Sequence, residues 1–163
     1  MTEQHTAKSP AEMVLAEEEA YEKVITPIED KFEPKLKGMN IPKDPTPGEI
    51  RELVWHIDQL DNDVQRVLRE AKTVYNKLKD TLEYKRAEFM IDSKEEMATE
   101  KREDAKARLL AEGFVGAYHL AEAKYNYLCS VEDRLRRKKE LLNIDRAAGP
   151  GTSHPSSKGS IKR

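Results

Sequence analysis

Apolar residues recur along the chain at helical spacing, and the longest run of that pattern covers residues 46–89. Counted in sevens from Ile50, one position holds Ile50, Ile57, Val64, Ala71 and Leu78. Three residues on come Leu53, Leu60, Val67 and Val74, and the next position gives Val54, Leu68, Tyr75, Leu82 and Phe89. An apolar stripe this wide predicts a helix that buries one face, leaving Glu52, Gln59, Arg66, Arg69 and Lys72 to solvent. Its start is also written: Thr46 as N-cap, Pro47 at the first helical position and Glu49 reaching back form a capping box. At 1.5 Å per residue the rod is roughly 65 Å long, more than a compact domain of this size is wide, so it needs a long partner.

A matching seam lies near the other end. Phe114, Ala121, Leu128, Leu135 and Leu142 recur every seven residues, flanked by Tyr118, Tyr125 and Val131, and predict a helix over about 117–146. The two seams complement each other. The expectation is an all-α fold, an elongated antiparallel hairpin or coiled-coil bundle, with Ile57, Leu60, Val64, Leu68, Leu78 and Leu82 facing Ala121, Leu128, Leu135 and Leu142.

The segments around these helices are read from their punctuation. Ser9-Pro10-Ala11-Glu12 predicts one helix start and Thr26-Pro27-Ile28-Glu29 a second, because proline in a helix interior loses a hydrogen bond and clashes with the turn before it. The first of these helices carries Val14, Tyr21, Val24 and Ile25 on one face, and the second carries Ile28 and Phe32 toward a stop near Pro34 or Lys37, with Gly38 as a left-handed terminator. Residues 39–45 form a proline-stiffened connector. Ser93 and Glu96 offer a further capping box, after which residues 94–112 are dominated by charge and read as a poorly packed helix or a hinge. Two glycines around Phe114 mark a turn or a close helix contact. Beyond Ala147 the run from Gly149 to Ser157 has no apolar residue to bury, and the tail reads as disordered with a basic end at Lys158, Lys162 and Arg163. Three regions result: acidic N-terminal helices and connector over 1–45, the long hairpin over 46–146, and the tail over 147–163.

Composition narrows the class. Of 163 residues 37% are charged and 6% aromatic, a profile of extended helices with narrow cores. No apolar run of about 18 residues exists, the N-terminus carries no basic-then-apolar leader, and the single Cys129 cannot form an internal disulfide. A cytoplasmic protein is the reading, in the host cytoplasm if the source is viral. Charge is uneven: residues 1–63 hold 15 acidic and 7 basic side chains, a balance of −8, and the remainder is mildly basic. Such polarity suits head-to-tail association, autoinhibition or a polyanion-facing end.

Catalytic and metal chemistry find little support. His119 and Glu122, or Glu52 and His56, each supply one pair of ligands where a metal site needs three or four. Glu17, Glu18 and Glu19 lie on a helix, not in a looped calcium cage. Cys129 has no histidine at a neighbouring helical position, and no phosphate loop or nucleophile elbow occurs. The expectation is a non-enzyme without cofactor or metal. The pairing of Tyr125 and Tyr127 with Arg134, Arg136, Arg137, Lys138 and Lys139 has two readings. Cations near a helix C-terminus complement the macrodipole. Alternatively, the tyrosines stack on bases and the cations contact phosphates of a single strand, an arrangement that oligomerisation would multiply.

The segments Leu82-Glu83-Tyr84-Lys85-Arg86-Ala87-Glu88-Phe89, Ala121-Glu122-Ala123-Lys124-Tyr125-Asn126-Tyr127-Leu128 and Arg134-Leu135-Arg136-Arg137 resemble small helical proteins of bacteriophage recombination modules, the UvsY-like recombination mediators. The resemblance covers about 46–146. It implies a non-enzymatic homo-oligomer that binds single-stranded DNA and helps load a recombinase. A viral scaffolding or adaptor protein, or another coiled-coil interaction module without nucleic-acid binding, fits the same pattern. In that case Leu128, Leu135 and Leu142 would serve as an assembly seam.

Overall fold

The computed structural model describes the backbone of residues 10–147 and the side chains of 18–143, and within these bounds the protein is all-α. Four helices follow one another: α1 (Pro10–Gly38), α2 (Pro47–Asp92), α3 (Ala98–Ala111) and α4 (Phe114–Ala147). The 46-residue α2 opens as its sequence predicts. The Thr46 N–H donates to Glu49 Oε2 at 2.7 Å, and the Glu49 N–H donates back to Thr46 Oγ1 at 3.3 Å. The Thr46 N–H, joined by the Thr46 hydroxyl 2.7 Å from the same oxygen, holds the Glu49 carboxyl below its ordinary pKa. Thr46→Ala removes the hydroxyl that accepts the Glu49 N–H and leaves the backbone donor to Glu49 in place, and we expect a loss of about 1 kcal/mol in thermal or denaturant unfolding.

The second arm of the hairpin is α3 and α4 laid end to end. Asp58 meets Lys139 and, seven residues on, Gln65 meets Glu132 seven residues back, so α2 and α4 are antiparallel. Phe89 extends the same offset across the α3–α4 junction, lying 4.2 Å beneath the Arg108 guanidinium. The junction is a single turn at Gly113, whose φ of 77° is one that side-chain-bearing residues avoid. The α4 helix starts directly at Phe114, earlier than the glycine pair suggested, with Gly116 inside it. Residues 98–111 form a helix with a small core of its own, where Phe89, Ala105 and Leu109 bury together against Met90, Phe114 and Val115. The box expected at Ser93 does not form. Ser93 instead caps the C-terminus of α2 and takes the Glu95 N–H, and α3 begins after Met97 with no side-chain cap.

The main core joins α2 and α4, with α1 laid across them. Ile57, Leu60, Val64 and Ala71 bury against Leu128, Val131, Leu135 and Leu142, and Phe32 and Leu36 of α1 complete the cluster. Of the positions assigned to the seam, Ile57, Leu60, Val64, Leu68, Ala121, Leu128, Leu135 and Leu142 are buried, while Leu78 and Leu82 are half-buried. The seam drifts along α2. Leu60 is buried, but Val74 two heptads later in the same position is 51% exposed, and the contact passes to Leu68, Tyr75 and Phe89. A straight helix turns about 20° per heptad away from a strict seven-residue repeat, which moves the buried edge by one position.

The predicted break at Thr26 is absent, and α1 runs through both Pro27 and Pro34. Ile25, Ile28, Phe32 and Leu36 form one continuous face across the prolines, and Ile25, Phe32 and Leu36 are fully or almost fully buried. Burial of three such side chains is worth about 4.5–9 kcal/mol together, enough to offset the roughly 6 kcal/mol cost of two helical prolines. The prolines also sit seven residues apart on the solvent face, where a helix wrapping a core already stretches its hydrogen bonds. The predicted start at Ser9 and the tail lie outside the described residues.

Candidate nucleic-acid interface

The cation run of α4 meets acids delivered by the other helices. Glu33 of α1 accepts both guanidinium branches of Arg134, one of them at 3.1 Å, together with the Tyr127 hydroxyl at 3.3 Å. The Arg134 hydrogen bond is the chief reason the Glu33 carboxyl lies below its ordinary value of 4.5, and in return Arg134 is pushed up. Burial, reinforced by Glu33, pushes the Tyr127 phenol up to about 12. Lys138 donates to the Met39 carbonyl at 2.6 Å, closing the connector onto α4. Lys139 donates to Asp58 at 2.5 Å, and this bond raises its pKa.

The tyrosines are likewise occupied. Tyr125 stacks on Tyr75 with centroids 5.3 Å apart and planes 7° from parallel, so the Tyr75 ring already lies against one of its faces. Tyr75 and Tyr118 share a hydroxyl hydrogen bond of 3.2 Å, and Tyr118 donates on to Glu122. The residues proposed from sequence as a phosphate patch therefore divide. Tyr125, Tyr127, Arg134, Lys138 and Lys139 make contacts within the bundle. The physical reason is that α1 and α2 present Glu33 and Asp58 to them. Arg136 stays exposed and pairs along its own helix with Asp133 and Glu140, and Arg137 is exposed with no ion-pair partner among the described residues.

Because the Glu33–Arg134 pair pins α1 to α4, it carries a pH dependence. A carboxyl with a depressed folded pKa stabilises the fold above its unfolded value and loses that contribution as pH falls through the lower, folded value. Both side chains are partly exposed, so the pair contributes on the order of 1 kcal/mol. Glu33→Gln should flatten the acid limb of the stability profile below pH about 4.5 while lowering stability near pH 7, as read by thermal melts across pH.

The outer face of α2 is organised differently. Trp55, Arg66, Arg69, Thr73, Lys77 and Tyr84 fall within about 80° of arc on the side opposite Ile57, Val64 and Ala71. All six are exposed, Trp55 by 59% and Tyr84 by 68%. Residues 64–79 carry Arg66, Arg69, Lys72, Lys77 and Lys79 against the single acid Glu70, with Asp80 following. The ties of these cations are local: Arg66 lies 3.7 Å from Asp63, and Arg69 Nε donates to the Gln65 carbonyl. Such exposed contacts are weak and are readily exchanged for another anion. The stripe is therefore a cationic ridge about 17 Å long on a straight helix, with one exposed aromatic beyond each end.

Sequence reading had set Arg66, Arg69 and Lys72 on the solvent side without assigning them a role. The signal was there in the polar complement of the heptad, where cations replace the usual alternation of charges.

Metal and nucleophile chemistry gain nothing from the geometry. Among the described residues no three His, Cys, Asp or Glu side chains converge to hold an ion. His56 points its Nδ1 at the Glu52 carbonyl 2.8 Å away, and Cys129 is half-buried. No helix among the described residues is long and apolar enough to cross a membrane. No protein-family model, curated protein or solved structure matches the chain.

Proposed function

We propose that this chain is a non-catalytic helical accessory protein that binds single-stranded DNA along the outer face of α2 and works as a homo-oligomer beside a recombinase. The observation carrying the reading is the solvent-facing ridge of Arg66, Arg69 and Lys77, with Lys72 at its side, between the exposed rings of Trp55 and Tyr84. Cations on a rigid helix supply salt-sensitive affinity for phosphates, and exposed aromatic faces stack on unpaired bases of any sequence. Neither feature selects a base edge, so binding on this reading is sequence-tolerant. The resemblance to recombination mediators supplies the biological setting.

A scaffolding or adaptor role is the second reading. It is favoured by the far end of the hairpin, where Ile91 is 81% exposed, Met97 62% and Leu110 52%. Light scattering of the purified chain with and without a labelled single-stranded oligonucleotide, at low and high salt, separates the two. A defined oligomer that takes up the oligonucleotide at low salt and releases it at high salt supports the first. An oligomer indifferent to DNA replaces it with the second.

A further inference from the structure

The C-terminal half of α1, the connector and the first turns of α2 enclose an open groove of about 600 Å³ that no described side chain of α4 lines. Its apolar surface comes from Met39, Pro42, Leu53 and Leu60. Glu49, Glu52 and Asp63 bring three acids to it, and Lys35 is the one Lys or Arg among its described lining residues. Some of that charge is already used within the fold, by Thr46 on Glu49 and by Lys35 and Arg66 on Asp63, whereas Glu52 is exposed. The groove thus offers an apolar floor with an acidic rim. It belongs to the part of the chain whose overall balance is −8.

We propose that this groove holds the basic C-terminal tail of the same molecule, with Ile161 on the apolar floor and Lys158, Lys162 and Arg163 against the acidic rim. Three observations select this occupant. The antiparallel register that pairs Asp58 with Lys139 brings Ala147, the last residue of α4, level with the start of α2, so α4 ends at the same end of the hairpin as the groove. From Ala147 to Lys158 the chain can span up to about 35 Å, whereas the α2 wall from Glu49 to Asp63 is about 21 Å long. The tail's charge and apolarity are also complementary: Lys158-Gly159-Ser160-Ile161-Lys162-Arg163 sets one branched apolar side chain among three cations and no acid. Docking it joins the acidic and basic ends of the chain, and α2's ridge lies on the neighbouring face of the same helix. The inference does not depend on DNA binding.

Competition by a labelled peptide tests it. In the full chain carrying Lys158→Glu, Lys162→Glu and Arg163→Glu the groove is vacated, and a fluorescent peptide of residues 150–163 should bind with a half-saturation of about tens of micromolar, read by anisotropy. The unmodified chain should bind the same peptide at least about tenfold more weakly, because its tethered tail competes at an effective concentration in the millimolar range. Adding Glu52→Lys and Asp63→Lys to the charge-reversed tail should abolish peptide binding without loss of helical signal, since both positions lie at the surface. Equal affinity for the unmodified and tail-reversed chains, or no binding to the tail-reversed chain, overturns the proposal. So does a concentration-dependent dimer that tail reversal dissolves, which would give the groove to the tail of a second copy.

Discussion

Leu128→Asp should leave the chain without a cooperative thermal transition and with most of its helical signal lost at 25 °C. Leu128 is fully buried in the cluster that joins α1, α2 and α4. Removing a buried leucine side chain costs about 2–5 kcal/mol through lost transfer energy and the cavity left behind. Placing a carboxyl in the same space adds several more, since no cation of the core stands ready to pair with it and the group must be desolvated or protonated. Together these approach the whole stability of an ordinary domain, about 5–15 kcal/mol. Leu141→Asp supplies the control. Leu141 is 54% exposed although it neighbours the fully buried Leu142, and its substitution should shift stability by no more than about 0.5 kcal/mol. If Leu128→Asp melted within a few degrees of the parent, the α2–α4 seam would not be what holds this chain.

That contrast between neighbouring leucines was legible in the sequence, because a seven-residue repeat labels Leu128, Leu135 and Leu142 and passes over Leu141. The capping box at Thr46 was legible for the same reason: every atom it needs lies within four residues. Features that depend on distant partners were not. Pro27 reads locally as a helix breaker, and only the joint burial of Ile25, Phe32 and Leu36 across it explains an unbroken α1. The charged segment 94–112 looks too polar to pack, yet Ala105 and Leu109 suffice once Phe89 is brought over them from α2. The cations of α4 look free because Glu33 lies 101 residues from Arg134, and Asp58 lies 81 from Lys139. Once those pairs form, it is the cations of α2 that have no comparable acid from another helix among the described residues.

A functional contrast between the two basic segments follows. Replacing Arg66, Arg69, Lys72 and Lys77 with Gln should reduce affinity for a single-stranded oligonucleotide about a hundredfold or more at low salt, with the helical signal unchanged. Each phosphate contact to a single strand contributes about 0.7 to the slope of log affinity against log salt, so losing four should flatten that slope by nearly 3. Trp55→Ala tests the aromatic share separately. Loss of one stacked base costs about 1–3 kcal/mol and leaves the salt slope intact, because no charge is removed. Arg136→Gln with Arg137→Gln should change binding by no more than about twofold, since these residues lie on α4 away from the ridge. Salt titrations of the four proteins by fluorescence anisotropy decide the matter. If the α4 pair removed binding and the α2 set did not, the nucleic-acid surface would belong at the C-terminal end of α4. If the parent itself failed to bind at low salt, the ridge would be a solvated helix face, and the exposed apolar end at Ile91, Met97 and Leu110 would become the surface to pursue with protein partners.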